Sequence, residues 1–169
     1  MKSSLILVAV IIGLFYSLPA QDVTTFRIAE INSGNLQKGE LIQVPLYIDN
    51  VSETLTSFLF FVEFDTAVLE YKRTTDIKEI FKKGWQENIT EYFYAAIYMD
   101  MMKSGKKENQ AGKFCTLEFL YKGGESTISW GKENIIENSI KKMGKTEAIG
   151  ISNNNLNLKL IDGCVCKTK

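Results

Sequence analysis

Few side chains in this sequence could do chemistry, and what is missing decides as much as what is present. No histidine occurs anywhere in the 169 residues, which removes the Ser-His-Asp triad, the Cys-His pair and histidine-ligated zinc or iron together. There are three cysteines: Cys115 in "GKFCTLEF", and Cys164 with Cys166 in "GCVC". Residues two apart on a strand share a face, so Cys164 and Cys166 point the same way, yet a bridge between such close neighbours is geometrically unfavourable. Pairing of Cys115 with one of them, or three buried thiols acting as small hydrophobes, are the alternatives left open. C-x-C spacing without histidine makes a poor metal site, so neither a metal nor a cofactor is expected.

Carboxylates are more numerous, 20 in all against 20 lysines and arginines. A glycosidase would need two of them facing across a cleft. Here the acids mostly alternate with lysines, as solvated surface charges do, and catalysis is not expected. The run "KGGES" lacks the Lys-Ser/Thr ending and the following helix of a phosphate loop, so it reads as a hairpin turn. Asn153, Asn154 and Asn155 read as an ordinary turn rather than a calcium loop. Balanced, scattered charge also argues against nucleic acid or an anionic membrane surface as the partner.

The elements that must position any site begin after an N-terminal leader. "MKSSLILVAVIIGLFYSLPAQD" places Lys2 before an apolar run, then Pro19 and Ala20, the layout of a secretory signal peptide cleaved after Ala20. An uncleaved anchor is the alternative, with an apolar run short for a span of roughly 20 residues. The expectation is therefore a signal peptide over 1–20, one domain over 21–169, no stable membrane insertion after cleavage, and an extracellular or periplasmic location. Strand character recurs at 25–31, 41–49, 57–63, 68–71, 91–99, 113–121, 126–130, 147–151 and 156–166, separated by Gly-, Asn-, Ser- and Lys-rich turns. One or two helical turns are expected over 76–83. Many short strands and almost no helix predict a single antiparallel β-sandwich.

Two of these strands carry too many apolar residues for one buried face. In "SFLFFVEFD", strand alternation sends Phe58, Phe60, Val62 and Phe64 to the core. Ser57, Leu59, Phe61 and Glu63 share the other side, where two large apolar residues need a cover. In "EYFYAAIYMD", Phe93, Ala95, Ile97 and Met99 read as core, leaving Tyr92, Tyr94, Ala96 and Tyr98 outside. Tyrosines of that kind suit a partner surface, or lie under the 76–83 helix or a loop. Trp130, in "STISW", reads as core.

Taken in order, these residues resemble a cohesin module, the receptor domain of cellulosome scaffolds. The matching elements run through nearly the whole chain after the leader: Gly39-Glu40, Val44-Pro45 and Asn50-Val51 in "KGELIQVPLYIDNV"; Phe64-Asp65 and Leu69 in "FVEFDTAVLEY"; then "AGKFCTLEFLYKG" and "LIDGCVC". The resemblance implies a nine-stranded jelly-roll sandwich and non-catalytic binding of a dockerin, a small calcium-loaded helical module. It also implies that the strand of "SFLFFVEFD" presents its outward side chains to that partner. On that reading Leu59 and Phe61 lie at the centre of a docking face, with Ser57, Glu63, Tyr94 and Tyr98 around them. Ser57 and Leu59 stand where the best-known cohesins carry an amide and an acid, which implies a more apolar contact. The alternative function is a carbohydrate-binding module that stacks polysaccharide on Trp85, Tyr92, Tyr94 and Tyr98.

Overall fold

The computed structural model describes residues 23–90, 93–102, 106, 109–137 and 140–167. The expected signal peptide over 1–20 and Tyr92 lie outside them. Among the described residues, one sheet runs in the order β13 (Leu158–Ile161), β1 (Thr24–Ile28), β3 (Leu41–Asn50), β8 (Gly112–Tyr121) and β5 (Leu69–Thr75). The second runs β2 (Ile31–Asn32), β14 (Gly163–Cys166), β9 (Ser126–Trp130), β4 (Leu55–Phe64), β7 (Tyr94–Met99) and β6 (Trp85–Ile89), with β12 (Glu147–Gly150) also on β4. β10 (Ile135–Glu137) and β11 (Ile140–Met143) form a separate hairpin, and α1 (Glu79–Lys82) is a single helical turn.

The two sheets make the expected sandwich, because alternate residues of the long central strands are large and apolar. Ile42, Val44, Leu46 and Ile48 of β3 are buried, and so are Phe58, Phe60, Val62 and Phe64 of β4. Between the layers aromatic rings meet mainly edge to face, the arrangement their quadrupoles favour. Phe26 lies 5.8 Å from Phe58 and 5.9 Å from Trp130, and Phe60 lies 5.6 Å from Phe114. Trp130 is core as expected, its indole N–H donating to the Ile161 carbonyl at 2.9 Å.

Pairing departs from a purely antiparallel scheme at two places, where β1 meets β13 and β2 meets β14 in parallel. The strand expected over 156–166 divides into β13 and β14, which join different sheets. Asp162 sits at the division, and its carboxylate accepts from the Trp130 amide at 2.9 Å and from Lys132 at 2.6 Å. "KGGES" likewise is not a hairpin, since β8 and β9 lie in opposite sheets. Gly123 and Gly124, with φ of 102° and 101°, turn the chain from one layer to the other. The helix over 76–83 contracts to α1, whose Phe81 seals the end of the core against Phe58 and Tyr98 at 5.3 and 4.8 Å.

Neither pairing considered for Cys115 occurs. Cys164 and Cys166 are bridged to each other, while Cys115 is free and fully buried. The reason is topological: Cys115 faces Leu46 in the β13-β1-β3-β8-β5 sheet, and β14 belongs to the other layer. Burial pushes the Cys115 thiol well above the usual cysteine range.

Candidate functional site

β4 is the organising strand of the site, and one edge of it changes partner midway. Val62 and Phe64 pair with Trp130 and Ile128 of β9, whereas Leu59 and Ser57 pair with Glu147 and Ile149 of β12. Both partners run antiparallel to β4, so β9 and β12 are two halves of one line interrupted by residues 131–146. The chain leaves and re-enters the sheet directly over Phe61. Gly131 N–H donates to the Phe61 carbonyl at 2.9 Å, Thr146 Oγ1 accepts from the Phe61 N–H at 3.2 Å, and Thr146 N–H donates to the Gly131 carbonyl at 2.7 Å.

This crossing answers what covers the second apolar face. A methyl group on Gly144 would stand 2.1 Å from Cζ of Phe61, and one on Gly131 would stand 1.8 Å from the Gly144 carbonyl oxygen. Only residues without Cβ allow so close an approach. Phe61 is thus 5% exposed, packed in a small cluster with Phe93, Ala95 and Leu59 on the outside of the sheet. The expectation that Phe61 waits at the centre of an open surface is corrected: the protein's own chain covers it.

Leu59 behaves differently and stays half-buried. It pairs with Ile97 of β7, which in turn pairs with Gln86 of β6. Leu59, Phe61, Phe93, Ala95 and Ile97 form the floor of a groove of about 420 Å³, and Gln86, Asn88 and Thr90 form its rim. Its floor is apolar and its rim carries amide and hydroxyl groups, so it suits an apolar side chain flanked by hydrogen-bonding groups. Ser57, opposite Met99, lies one pair further along the same face. Glu63 points outward but lines a separate polar hollow with Asp65 and Glu125, on the β9 side of the Phe61 crossing.

The two faces of β7 are the reverse of the expected ones. Tyr94 and Tyr98 are 0% and 3% exposed and belong to the main core, whereas Phe93 and Ala95 face outward under cover. Both faces of this strand are apolar, so alternation alone cannot choose between them; neighbours do. The inner side places Tyr94 5.1 Å from Tyr71 of the opposite sheet, where its hydroxyl accepts from Thr74 Oγ1 at 2.9 Å. A buried phenol finds its partner there. Burial likewise pushes the Tyr98 hydroxyl up to about 12.

Trp85 is no open sugar platform either, because its ring packs 5.6 Å from Phe60 and its N–H donates to Glu87 at 2.7 Å. Sequence reasoning missed β6 as a strand, and with it Gln86 and Asn88. "WQENI" is polar and exposed along nearly its whole length, as an edge strand can be. Ile97, Ala95 and Phe93 were visible but assigned to the wrong face. Among the described residues no group of three or more acidic or cysteine side chains is placed to hold a metal ion, and no helix is long and apolar enough to cross a membrane.

Comparison with known proteins meets this geometry from the other direction. No curated protein matches the sequence. A cohesin from scaffoldin B of Acetivibrio cellulolyticus, solved with a Cel5 dockerin, superposes with a TM-score of 0.68 at 17% identity, covering 86% of this chain and 99% of that one. A type I cohesin in a cohesin–dockerin complex from Clostridium thermocellum gives 0.65 at 20%, covering 85% and 97%. A non-cellulosomal cohesin from Archaeoglobus fulgidus gives 0.58 at 14%, covering 86% and 91%. These likenesses show the fold, and the cohesin domain family model matches residues 28–150, from the end of β1 to the end of β12. The chain belongs to the cohesin domain family, whose members are non-catalytic protein-binding modules.

Proposed function

We propose that this chain is an exported receptor module that docks a dockerin-type, calcium-loaded helical partner through the outer face of β4, β7 and β6, in the setting of polysaccharide degradation. The observation that supports this most is the groove floored by Leu59, Ala95 and Ile97 and rimmed by Gln86 and Asn88. Leu59 supplies the accessible apolar centre, and Ser57 and Met99 extend the face beyond it. A specific interface of this kind would bury on the order of 1,600 Å² in total. Export rests on the leader over 1–20. The dockerin assignment draws on two of the similar structures, solved with dockerins bound. Of the four side chains named for stacking polysaccharide, Tyr94 and Tyr98 are buried in the core and Trp85 packs against it, which favours the protein-docking reading.

The test is capture by the mature domain from the native secretome, with calcium and with a chelator. Capture in calcium of proteins that carry a dockerin module, lost on chelation, supports the reading. Capture that ignores calcium, or retardation of the domain in soluble polysaccharide gels, contradicts it.

A further inference from the structure

Three methionines crowd the end of β7 in the run "YMDMM": Met99, Met101 and Met102. They are 48%, 81% and 84% exposed, against the preference of an apolar side chain for the interior. All three line one hollow of about 330 Å³, together with Ile80, Lys83, Tyr98 and Asp100, whose carboxylate is engaged by the Met102 N–H. None of them lines the groove itself, and only Met99, opposite Ser57, borders the proposed docking face.

Four successive residues span roughly 10 Å between their outer Cα atoms even when fully extended. Here the chain turns at 101–102, where the Met102 N–H donates to the Asp100 carboxylate at 3.0 Å. Each thioether ends a side chain with three rotatable bonds, so the sulfurs can converge in the hollow without moving the backbone. We infer that Met99, Met101 and Met102 form a soft-metal site at the end of β7 that takes Cu(I) through its three thioether sulfurs.

The chemistry selects the ion. Neutral, polarizable sulfur favours Cu(I), whereas calcium and magnesium require oxygen ligands. Lys83 and the Asp100 carboxylate both line the hollow and offset each other in charge, so the sulfurs make the selection. Thioethers carry no proton to lose, so binding does not weaken in mild acid as it does at thiolate or imidazole sites. The cysteines do not compete, because Cys164 and Cys166 are bridged and Cys115 is buried.

The test is anaerobic competition for Cu(I), held reduced by ascorbate, between the folded domain and a chromophoric Cu(I) chelator. The domain should withdraw about one Cu(I) per chain, equally at about pH 5 and about pH 7, and should not retain Zn(II). The M101L/M102L double variant should keep its melting temperature and bind Cu(I) on the order of 10- to 100-fold more weakly, the loss that altering even an outer partner of a metal site produces. No withdrawal by the wild type, or equal withdrawal by the double variant, overturns the inference. So does loss of binding in C164S/C166S, which would move the copper to the cysteines.

Discussion

Gly144 rests on the ring of Phe61, so close that any side chain there would overlap it. The contact joins the point where the chain re-enters the sheet to the midpoint of β4. Replacing Gly144 with alanine should cost about 1–3 kcal/mol, the usual cost of overpacking. Phe61→Ala should cost about 3–5 kcal/mol. Their sum should overestimate the double variant, because removing the ring makes room for the new methyl group. Urea unfolding of the four proteins measures this, and strict additivity would show that the contact is not formed.

Leu59 should be separable from Phe61. Leu59→Asp places a charge on a half-buried, solvent-facing position, so far-UV circular dichroism should be unchanged and partner capture lost. Phe61→Asp buries an unpaired carboxylate beneath Gly144, which costs far more, and should unfold the domain or lower its melting temperature steeply. Equal stability of the two variants would mean that Phe61 is as open as Leu59.

Glu118 makes stability depend on acid. Although it lies on the outer side of β8, it is nearly covered, and it accepts from Arg73 and, at 3.3 Å, from Gln43. The hydrogen bond from Arg73 is the main reason its carboxyl is held below the usual carboxylate range. A group whose pKa is lowered by folding adds stability above its unfolded value and loses it as pH falls through the folded one. The melting temperature should therefore drop as pH falls below about 4. Glu118→Gln should melt lower at neutral pH and show a shallower acid drop. An unchanged slope in the variant would remove Glu118 from this role.

Cys115 should be silent in the folded protein. Its thiol is fully buried and held protonated by that burial, and the thiolate is the reactive form. An alkylating reagent at neutral pH should leave it unmodified until denaturant is added, after which one thiol per chain should label if Cys164 and Cys166 are bridged. Labelling of three thiols would contradict the bridge, and rapid labelling without denaturant would contradict the burial.

The layers of the fold were legible because "LIQVPLYID" and "SFLFFVEF" alternate strongly on their inner faces, and the long matching runs carried the family likeness. The site was legible only in part. Leu59 stood out because it shares a strand face with Phe61, but nothing local reports that the chain at Gly131 and Gly144 folds back over one of the two. That depends on Gly131 and Gly144, 70 and 83 residues after Phe61. β7 was read with its faces exchanged because every position from Phe93 to Met99 is apolar or aromatic. The choice came from Tyr71 and Thr74 of another strand. β6 was invisible because an exposed edge strand needs no apolar side, and its only hydrophobic anchor to the core is Trp85.

The central claim is that docking uses the outer face of β4, β7 and β6. The most direct measurement compares calcium-dependent capture by Leu59→Asp/Ile97→Asp with capture by Leu41→Asp, a control at an exposed position on the other sheet. All proteins should first be shown to melt like the wild type. The account predicts that the first variant captures nothing and the second captures as the wild type does. Full capture by the first, or its loss only in the second, would place the docking surface elsewhere.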